Sequence, residues 1–181
     1  MIKHLIKALT LFSVLTIFTI GNVQAQKSTK RIGNRPRHGS SNATFSIIKG
    51  NQIGIKMNIG SKNHHLETLN FGVENFAADP VKFKVNVYEF NGETPGENLV
   101  NNDIISSFPK GKNRIDVDLS AANIIAKGKI LVSIEFLGNF NGSAPAFSIG
   151  ILNGGMYRYE NGKWEKDSVA GVDFNVMVTK L

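Results

Sequence analysis

The sequence VKFKVNV at residues 81–87 decides the fold class of this chain, because its side chains alternate strictly between apolar and polar. Val81, Phe83, Val85 and Val87 recur with a period of two, which places them on one side of an extended strand. The same alternation occurs at residues 53–59 (IGIKMNI), 114–119 (RIDVDL) and 172–179 (VDFNVMVT). Each segment therefore predicts a strand with one face on an apolar core and the other in water.

The connections between strands are marked by Asn-Gly dipeptides, which tolerate positive φ at both centres of a type I′ turn. They occur at residues 91–92, 141–142, 153–154 and 161–162. Less regular strands are predicted at 44–49, 67–74, 130–137 and 146–152, and one helical turn at 120–126 with Ser120 as its N-cap. Short strands with frequent turns predict an all-β fold, a jelly-roll-like antiparallel β-sandwich that residues 43–181 form as a single domain. We predict a core that includes Phe83, Val85, Ile115, Val117, Ile134, Phe136, Phe174 and Val176.

Residues 1–25 predict a secretory signal peptide. Lys3 and Lys7 give a positive start, residues 8–20 (ALTLFSVLTIFTI) carry no charge, and Ala25 ends a small-residue cleavage pattern. We expect cleavage before Gln26 and export to the periplasm, the cell surface or the medium. An uncleaved membrane anchor is the weaker alternative, because the apolar run covers about 20 Å as a helix against about 30 Å of hydrocarbon.

Residues 26–42 predict a disordered basic arm. The segment has one large apolar residue, Ile32, and cannot offset its ordering entropy by burial. It carries five of the basic residues that remain after cleavage, whereas residues 38–181 balance 14 basic side chains against 14 acidic ones. The net charge of +7 therefore does not indicate a nucleic-acid-binding domain. We expect no specific nucleic-acid partner, and an arm that acts as a spacer or contacts anionic surfaces.

Residues 156–167 predict a β-hairpin with Asn161-Gly162 as its loop. Counting outward from the loop gives four cross-strand pairs: Glu160 with Lys163, Tyr159 with Trp164, Arg158 with Glu165, and Tyr157 with Lys166. One face is then charged, and the other concentrates Tyr157, Tyr159 and Trp164, our candidate ligand-binding residues. We expect this aromatic face to pack on the core. The alternative is an exposed platform that stacks on sugar rings.

Catalytic and metal-binding motifs are absent from the sequence. Without cysteine there is no thiol nucleophile, disulfide or Cys-zinc site. His64 and His65 are adjacent in a polar stretch that we predict to be a solvated loop. In an extended chain such neighbours point to opposite faces, which does not suit a two-ligand metal site. We therefore expect no catalytic residue, no metal and no cofactor.

Carboxylates are the remaining candidates for catalysis, since glycoside hydrolysis uses a pair of them. Asp116 and Asp118 share one strand face, about 7 Å apart at the backbone. A second set surrounds the predicted turn at 91–96 and consists of Glu89, Glu93 and Glu97. Both sets lie where solvated charge is expected. Glu135, inside an apolar stretch, points outward or needs a partner.

Three segments resemble the β-sandwich segment of exported Bacteroidota proteins described as carboxypeptidase-regulatory-like. They are VKFKVNVYEFNGETPGENLV at 81–100, NRIDVDLS at 113–120 and ILVSIEFLG at 130–138. The resemblance covers about residues 81–137. It implies a non-catalytic accessory sandwich, without peptidase activity and without a zinc ligand set.

Two function hypotheses follow from the sequence. In the first, the chain is an exported, non-enzymatic module that binds a glycan or a partner protein at the cell envelope. In the second, it is a hydrolase of surface polysaccharide that depends on a carboxylate pair. The sequence identifies neither the ligand nor the oligomeric state.

Overall fold

The structure is a computed structural model that describes residues 28–36, 42–140 and 142–181. The predicted signal peptide lies outside the described residues, as do parts of the basic arm. Within the described ranges, no helix has the length and apolar character needed to cross a membrane.

Twelve strands and one 3-10 helix, Ser120–Ala122, form the described part of the chain. The strands are β1 (Thr29–Gly33), β2 (Asn42–Thr44), β3 (Gln52–Asn75), β4 (Val81–Glu89), β5 (Ile104–Phe108), β6 (Gly111–Asp118), β7 (Ile125–Phe136), β8 (Ala146–Ile151), β9 (Met156–Glu160), β10 (Lys163–Asp167), β11 (Ala170–Val172) and β12 (Asn175–Lys180). Their pairings are antiparallel.

Strand β3 joins the two layers of the sandwich. Its first half pairs with β9 and β7 and belongs to a layer ordered β10-β9-β3-β7-β4-β5. Its second half lies between β12 and β6, and β1 forms the edge beyond β12. Between the halves the register with β7 shifts on either side of Gly60, whose φ is 96°. A bulge of this kind bends a strand, so one strand serves both layers.

The core fills the space between these layers. Phe71, from the second half of β3, has its ring centroid 5.6 Å from that of Phe83 on β4 and 4.9 Å from that of Phe174. Phe147 on β8 packs against Phe71 and Phe108. All eight predicted core residues are buried. The prediction of a jelly-roll-like antiparallel β-sandwich is confirmed.

A buried carboxylate closes a gap in the second layer. Beside β3, the pairing with β12 ends at Asn70 and the pairing with β8 begins at Val73. In the gap, the amide of Gly72 donates to Asp173 Oδ1 at 2.9 Å. Arg114 donates to the other oxygen of Asp173 at 2.5 Å. The Asp173 carboxylate thus accepts the hydrogen bond that the Gly72 amide would otherwise donate to a neighbouring strand, because a buried amide requires a partner.

The structure departs from the sequence prediction of a disordered arm at β1. Residues Thr29–Gly33 pair with β12, and Ile32 packs against the core. The Lys30 amine donates to the Ile59 carbonyl at 3.1 Å. The prediction missed this strand because it considered burial of the arm alone, whereas the edge of β12 supplies backbone hydrogen bonds.

Two local predictions also need correction. His64 and His65 are not in a loop: both lie in β3, where His64 is 4% exposed and donates from Nδ1 to the Lys62 carbonyl at 2.8 Å. The N-cap of the 3-10 helix is Leu119, and Ser120 donates its hydroxyl to Asp118 Oδ1 at 2.6 Å. In both places a local hydrogen bond satisfies a polar group that the sequence pattern had assigned to solvent or to a cap.

Candidate functional site

The predicted β9–β10 hairpin is confirmed pair by pair. The structure pairs Glu160 with Lys163, Tyr159 with Trp164, Arg158 with Glu165, and Tyr157 with Lys166. The loop residues Asn161 and Gly162 have φ values of 52° and 81°, as a type I′ turn requires. Of the Asn-Gly dipeptides whose two residues are both described, this is the one with positive φ at both positions.

Cross-strand register places the aromatic face of the hairpin on the outer face of the first layer. Tyr159 pairs with Trp164 on one side and with Gln52 on the other. Gln52 pairs in turn with Glu135, and Glu135 with Lys84. Paired residues point to the same side of a sheet. These five side chains therefore form a row across β10, β9, β3, β7 and β4, on the side opposite the core.

The three aromatic candidates are neither in the main core nor fully exposed. Tyr157 is 5% exposed, and Tyr159 and Trp164 are half-buried. Tyr157 belongs to a second apolar cluster, on the outer face, with Phe90 and Leu131. The ring of Trp164 lies 5.2 Å from that of Tyr159. The expected packing is found for Tyr157, which is buried, and Trp164 packs against the same cluster. This cluster lies on the outer face of the sheet, whereas the expectation placed the aromatic face on the core between the layers.

Tyr88 joins the aromatic cluster to a polar network. Its ring meets Trp164 edge-on at 5.7 Å, and its hydroxyl donates to Gln52 Oε1 at 3.2 Å. The same oxygen accepts from Ser133 Oγ at 2.8 Å and from Asn86 Nδ2 at 3.3 Å. Burial raises the pKa of Tyr88 above its usual 10.0, against the opposing effect of the hydrogen bond to Gln52. Gln52 is thus the acceptor that holds this part of the outer face together.

Glu135, which lies between apolar neighbours in the sequence, has polar partners on the adjacent strand β4. Asn86 Nδ2 donates to Glu135 Oε2 at 3.0 Å, and Lys84 Nζ lies 3.4 Å from the same oxygen. Lys84 is also 3.6 Å from Asp103. Burial lowers the pKa of Lys84, but the carboxylates of Glu135 and Asp103 outweigh it and leave the pKa raised. The network places the partly exposed charged groups of Glu135 and Lys84 on the same face as the aromatic rings, while the amides of Gln52 and Asn86 are buried.

A groove of about 430 Å³ opens beside Trp164. Tyr157 and Trp164 line it together with Lys56 and Lys166. Gly92, Glu93 and Thr94, from the segment after β4, supply a further wall. The Lys56 amine lies 5.0 Å above the ring of Phe90. Aromatic rings with a few polar groups around them are the usual lining of a small-ligand site.

The carboxylates do not form a catalytic pair at these grooves. The groove beside Trp164 has one carboxylate in its lining, Glu93. A second groove, of about 270 Å³, lies beside Arg114 and Gly72 and also has one carboxylate in its lining, Glu74. Asp116 accepts from Asn70 at 2.7 Å. Hydrogen bonds from Ser120 lower the pKa of Asp118, which is opposite to the shift that a general acid needs. No group of three or more metal-ligating side chains occurs among the described residues.

Sequence reasoning found the hairpin residues but missed their neighbours on other strands. Gln52, Asn86 and Tyr88 carry no motif, and their proximity depends on the order β9-β3-β7-β4. One signal was available: in VKFKVNVYE, Lys84, Asn86 and Tyr88 occupy the polar positions of the alternation, hence the outer face.

The sequence matches no protein-family model, and a search of curated proteins also finds no match. Among solved structures, the chain is similar to a crystal structure of the cysteine protease and lectin-like domains of Cwp84, a surface-layer-associated protein of Clostridium difficile. The TM-score is 0.62 at 12% identity, over 84% of this chain and 36% of that one. A second structure of the Cwp84 protease, after propeptide cleavage, gives a TM-score of 0.60 at 12% identity, over 84% of this chain and 40% of that one.

A family 35 carbohydrate-binding module from Cellvibrio japonicus Abf62 also matches, with a TM-score of 0.41 at 15% identity, over 79% of this chain and 94% of that one. The chain spans about two fifths of the length of the Cwp84 structures. At 12% identity, the property that this chain shares with the Cwp84 structures is the fold.

Proposed function

We propose that this chain is an exported, non-catalytic β-sandwich module that binds a glycan at the cell envelope through the outer face of its first layer. The observation that carries the proposal is the position of Tyr159 and Trp164. Their rings pack against each other and are half-buried. Trp164 also lines the groove and contacts Tyr88, which belongs to the hydrogen-bonding network. A sugar ring offers C–H groups to an aromatic face and hydroxyl groups to charged side chains. On this surface Trp164 supplies the first kind of partner, and the partly exposed Glu135 and Lys84 supply the second.

The rigidity of the surface supports binding over catalysis. The indole of Trp164 is held between Tyr88 and Tyr159, and the amide of Asn86 is fixed by bonds to Gln52, Glu135 and Asn98. Side chains ordered before binding lose little entropy when a ligand arrives. The hydrolase hypothesis requires two carboxylates that face one groove, whereas each of the two grooves described above has a single carboxylate in its lining.

The test is a glycan-binding screen of the purified protein, followed by calorimetric titration of the glycan that binds. Trp164→Ala removes the half-buried indole, and we expect it to weaken binding at least tenfold with the fold retained. Phe76→Ala is the matched control, because Phe76 is also an exposed aromatic residue (48%) but follows β3 outside the groove. Equal binding by wild type and Trp164→Ala, or a screen without any bound glycan, would refute the proposal.

Export has its own test. N-terminal sequencing of the protein from the envelope or the medium should begin at Gln26, because the cleavage pattern ends at Ala25. Recovery of the chain from the cytosol with Met1 intact would contradict export. The carboxypeptidase-regulatory-like resemblance fits such a module and remains a prediction.

A further inference from the structure

Two lysines line the groove beside Trp164. Lys56 extends from β3 and Lys166 from β10, and both side chains are exposed. Lys166 pairs with Tyr157, which pairs with Gly54, two residues before Lys56. Strand spacing then puts the Cα atoms of the two lysines roughly 12 Å apart, with Tyr157 between them and Trp164 two residues from Lys166 on β10. The two lysines thus lie on either side of Tyr157.

These two amines differ from other cations of the same layer. Lys84 is paired with Glu135 and Asp103, and Lys163 with Glu165 at 2.7 Å. Lys56 and Lys166 have no salt bridge to any residue that the structure describes. The Lys56 amine is positioned instead by the ring of Phe90. An anionic ligand would therefore not need to displace an internal carboxylate.

The acidic groups nearby do not cancel this charge. Glu93 lines the groove, so it holds two amines against one carboxylate. Glu165 is next to Lys166 in sequence but belongs to the charged face of the hairpin. There its pKa is lowered, first by the hydrogen bond from Lys163 and then by the charge of that lysine. The groove keeps a net positive charge at neutral pH.

We propose that this groove selects glycans that carry an anionic group on the ring stacked at Trp164, a carboxylate or a sulfate. The inference rests on the proposed glycan-binding function and adds the class of ligand. The rings of Trp164 and Tyr157 provide the apolar contact for the sugar, and the amines of Lys56 and Lys166 bind the anion. Charge-assisted hydrogen bonds of this kind are stronger than neutral ones. A neutral sugar would make the first contact without the second.

The experiment titrates the full protein with three probes: tetragalacturonate, its carboxyl-reduced counterpart, and a sulfated galactan oligosaccharide. The variants are Lys56→Gln, Lys166→Gln and the double variant. Lys163→Gln is the matched control, since it removes a lysine of the same hairpin on the opposite face. Each variant is first checked for an unchanged unfolding midpoint. We expect at least one anionic probe to bind about tenfold more tightly than the reduced one, and the double variant to lose that preference.

The outcomes separate this inference from the proposed function. A preference for tetragalacturonate identifies the anion as a carboxylate, and a preference for the sulfated probe identifies it as a sulfate. Either result supports the inference if the Lys163→Gln variant shows the same preference as wild type. Equal binding of charged and neutral probes that still requires Trp164 overturns the inference and leaves the function standing. Binding of no glycan in the broader screen overturns both.

Discussion

Gln52→Leu is the substitution that most directly probes the polar network under the candidate site. Leucine has a similar volume, so the change removes hydrogen bonds without opening a large cavity. Three donors lose the Oε1 acceptor: Ser133 Oγ, Tyr88 OH and Asn86 Nδ2. Asn86 keeps its bond to Glu135, and the half-buried Tyr88 can turn to water. Ser133 is 0% exposed and is left unpaired.

The expected loss of stability is dominated by that one hydroxyl. A buried donor left unsatisfied costs about 1–3 kcal/mol, so we expect Gln52→Leu to lower the free energy of unfolding by about 2 kcal/mol. Ser133→Ala added to Gln52→Leu removes the unpaired group and should restore about 1 kcal/mol.

Urea denaturation of wild type, both single variants and the double variant measures this, with equal m-values as the check that the unfolded state is unchanged. The reasoning is refuted if Gln52→Leu lies within about 0.5 kcal/mol of wild type. It is equally refuted if the double variant is no more stable than Gln52→Leu.

Three further predictions concern stability. Phe136→Ala should cost about 3–5 kcal/mol in denaturant unfolding, because the ring is buried in the core, and a loss below about 0.5 kcal/mol would place it outside the core. Gly155→Ala should cost about 2 kcal/mol more than Gly154→Ala: both glycines have positive φ, but a Cβ at Gly155 would meet a backbone oxygen whereas Gly154 faces open space; equal melting temperatures would contradict this. Tyr88→Phe should cost about 1 kcal/mol at neutral pH through the lost bond to Gln52. Since the folded-state pKa of Tyr88 is raised, wild type stays more stable than Tyr88→Phe below pH 10.0 and loses this extra stability as the pH rises through the folded-state pKa. A difference in unfolding free energy that stays constant across alkaline pH would exclude this linkage.

Sequence periodicity predicted strands in both layers of the fold, but it did not predict that two of them form one continuous strand. The alternation in residues 53–59 and the strand at 67–74 were each predicted, yet the structure runs them together as β3, through His64 and His65. Polar side chains in the bulged middle of a strand break the period of two, so the pattern is typical of a loop. The same limit applies to β1, whose stability depends on the free edge of β12 rather than on its own composition.

The candidate site was partly predictable because a two-residue turn fixes register. Asn161-Gly162 determines that Tyr159 faces Trp164, and this follows from local sequence alone. Which way the aromatic face points depends on the neighbour of β9, the strand β3, which lies about 100 residues earlier in the chain. Once Tyr159 is beside Gln52, the polar neighbours follow. No local pattern contains that pairing.

The central claim is that a glycan ring stacks on the outer face at Trp164, and the chain provides its own reporter, because Trp164 is its one tryptophan. The measurement is a fluorescence titration of that indole with the glycan that binds most tightly, next to calorimetry on the same samples. The account predicts a saturable change in indole emission whose midpoint agrees with the calorimetric Kd. Binding detected by calorimetry that leaves the indole emission unchanged would contradict it.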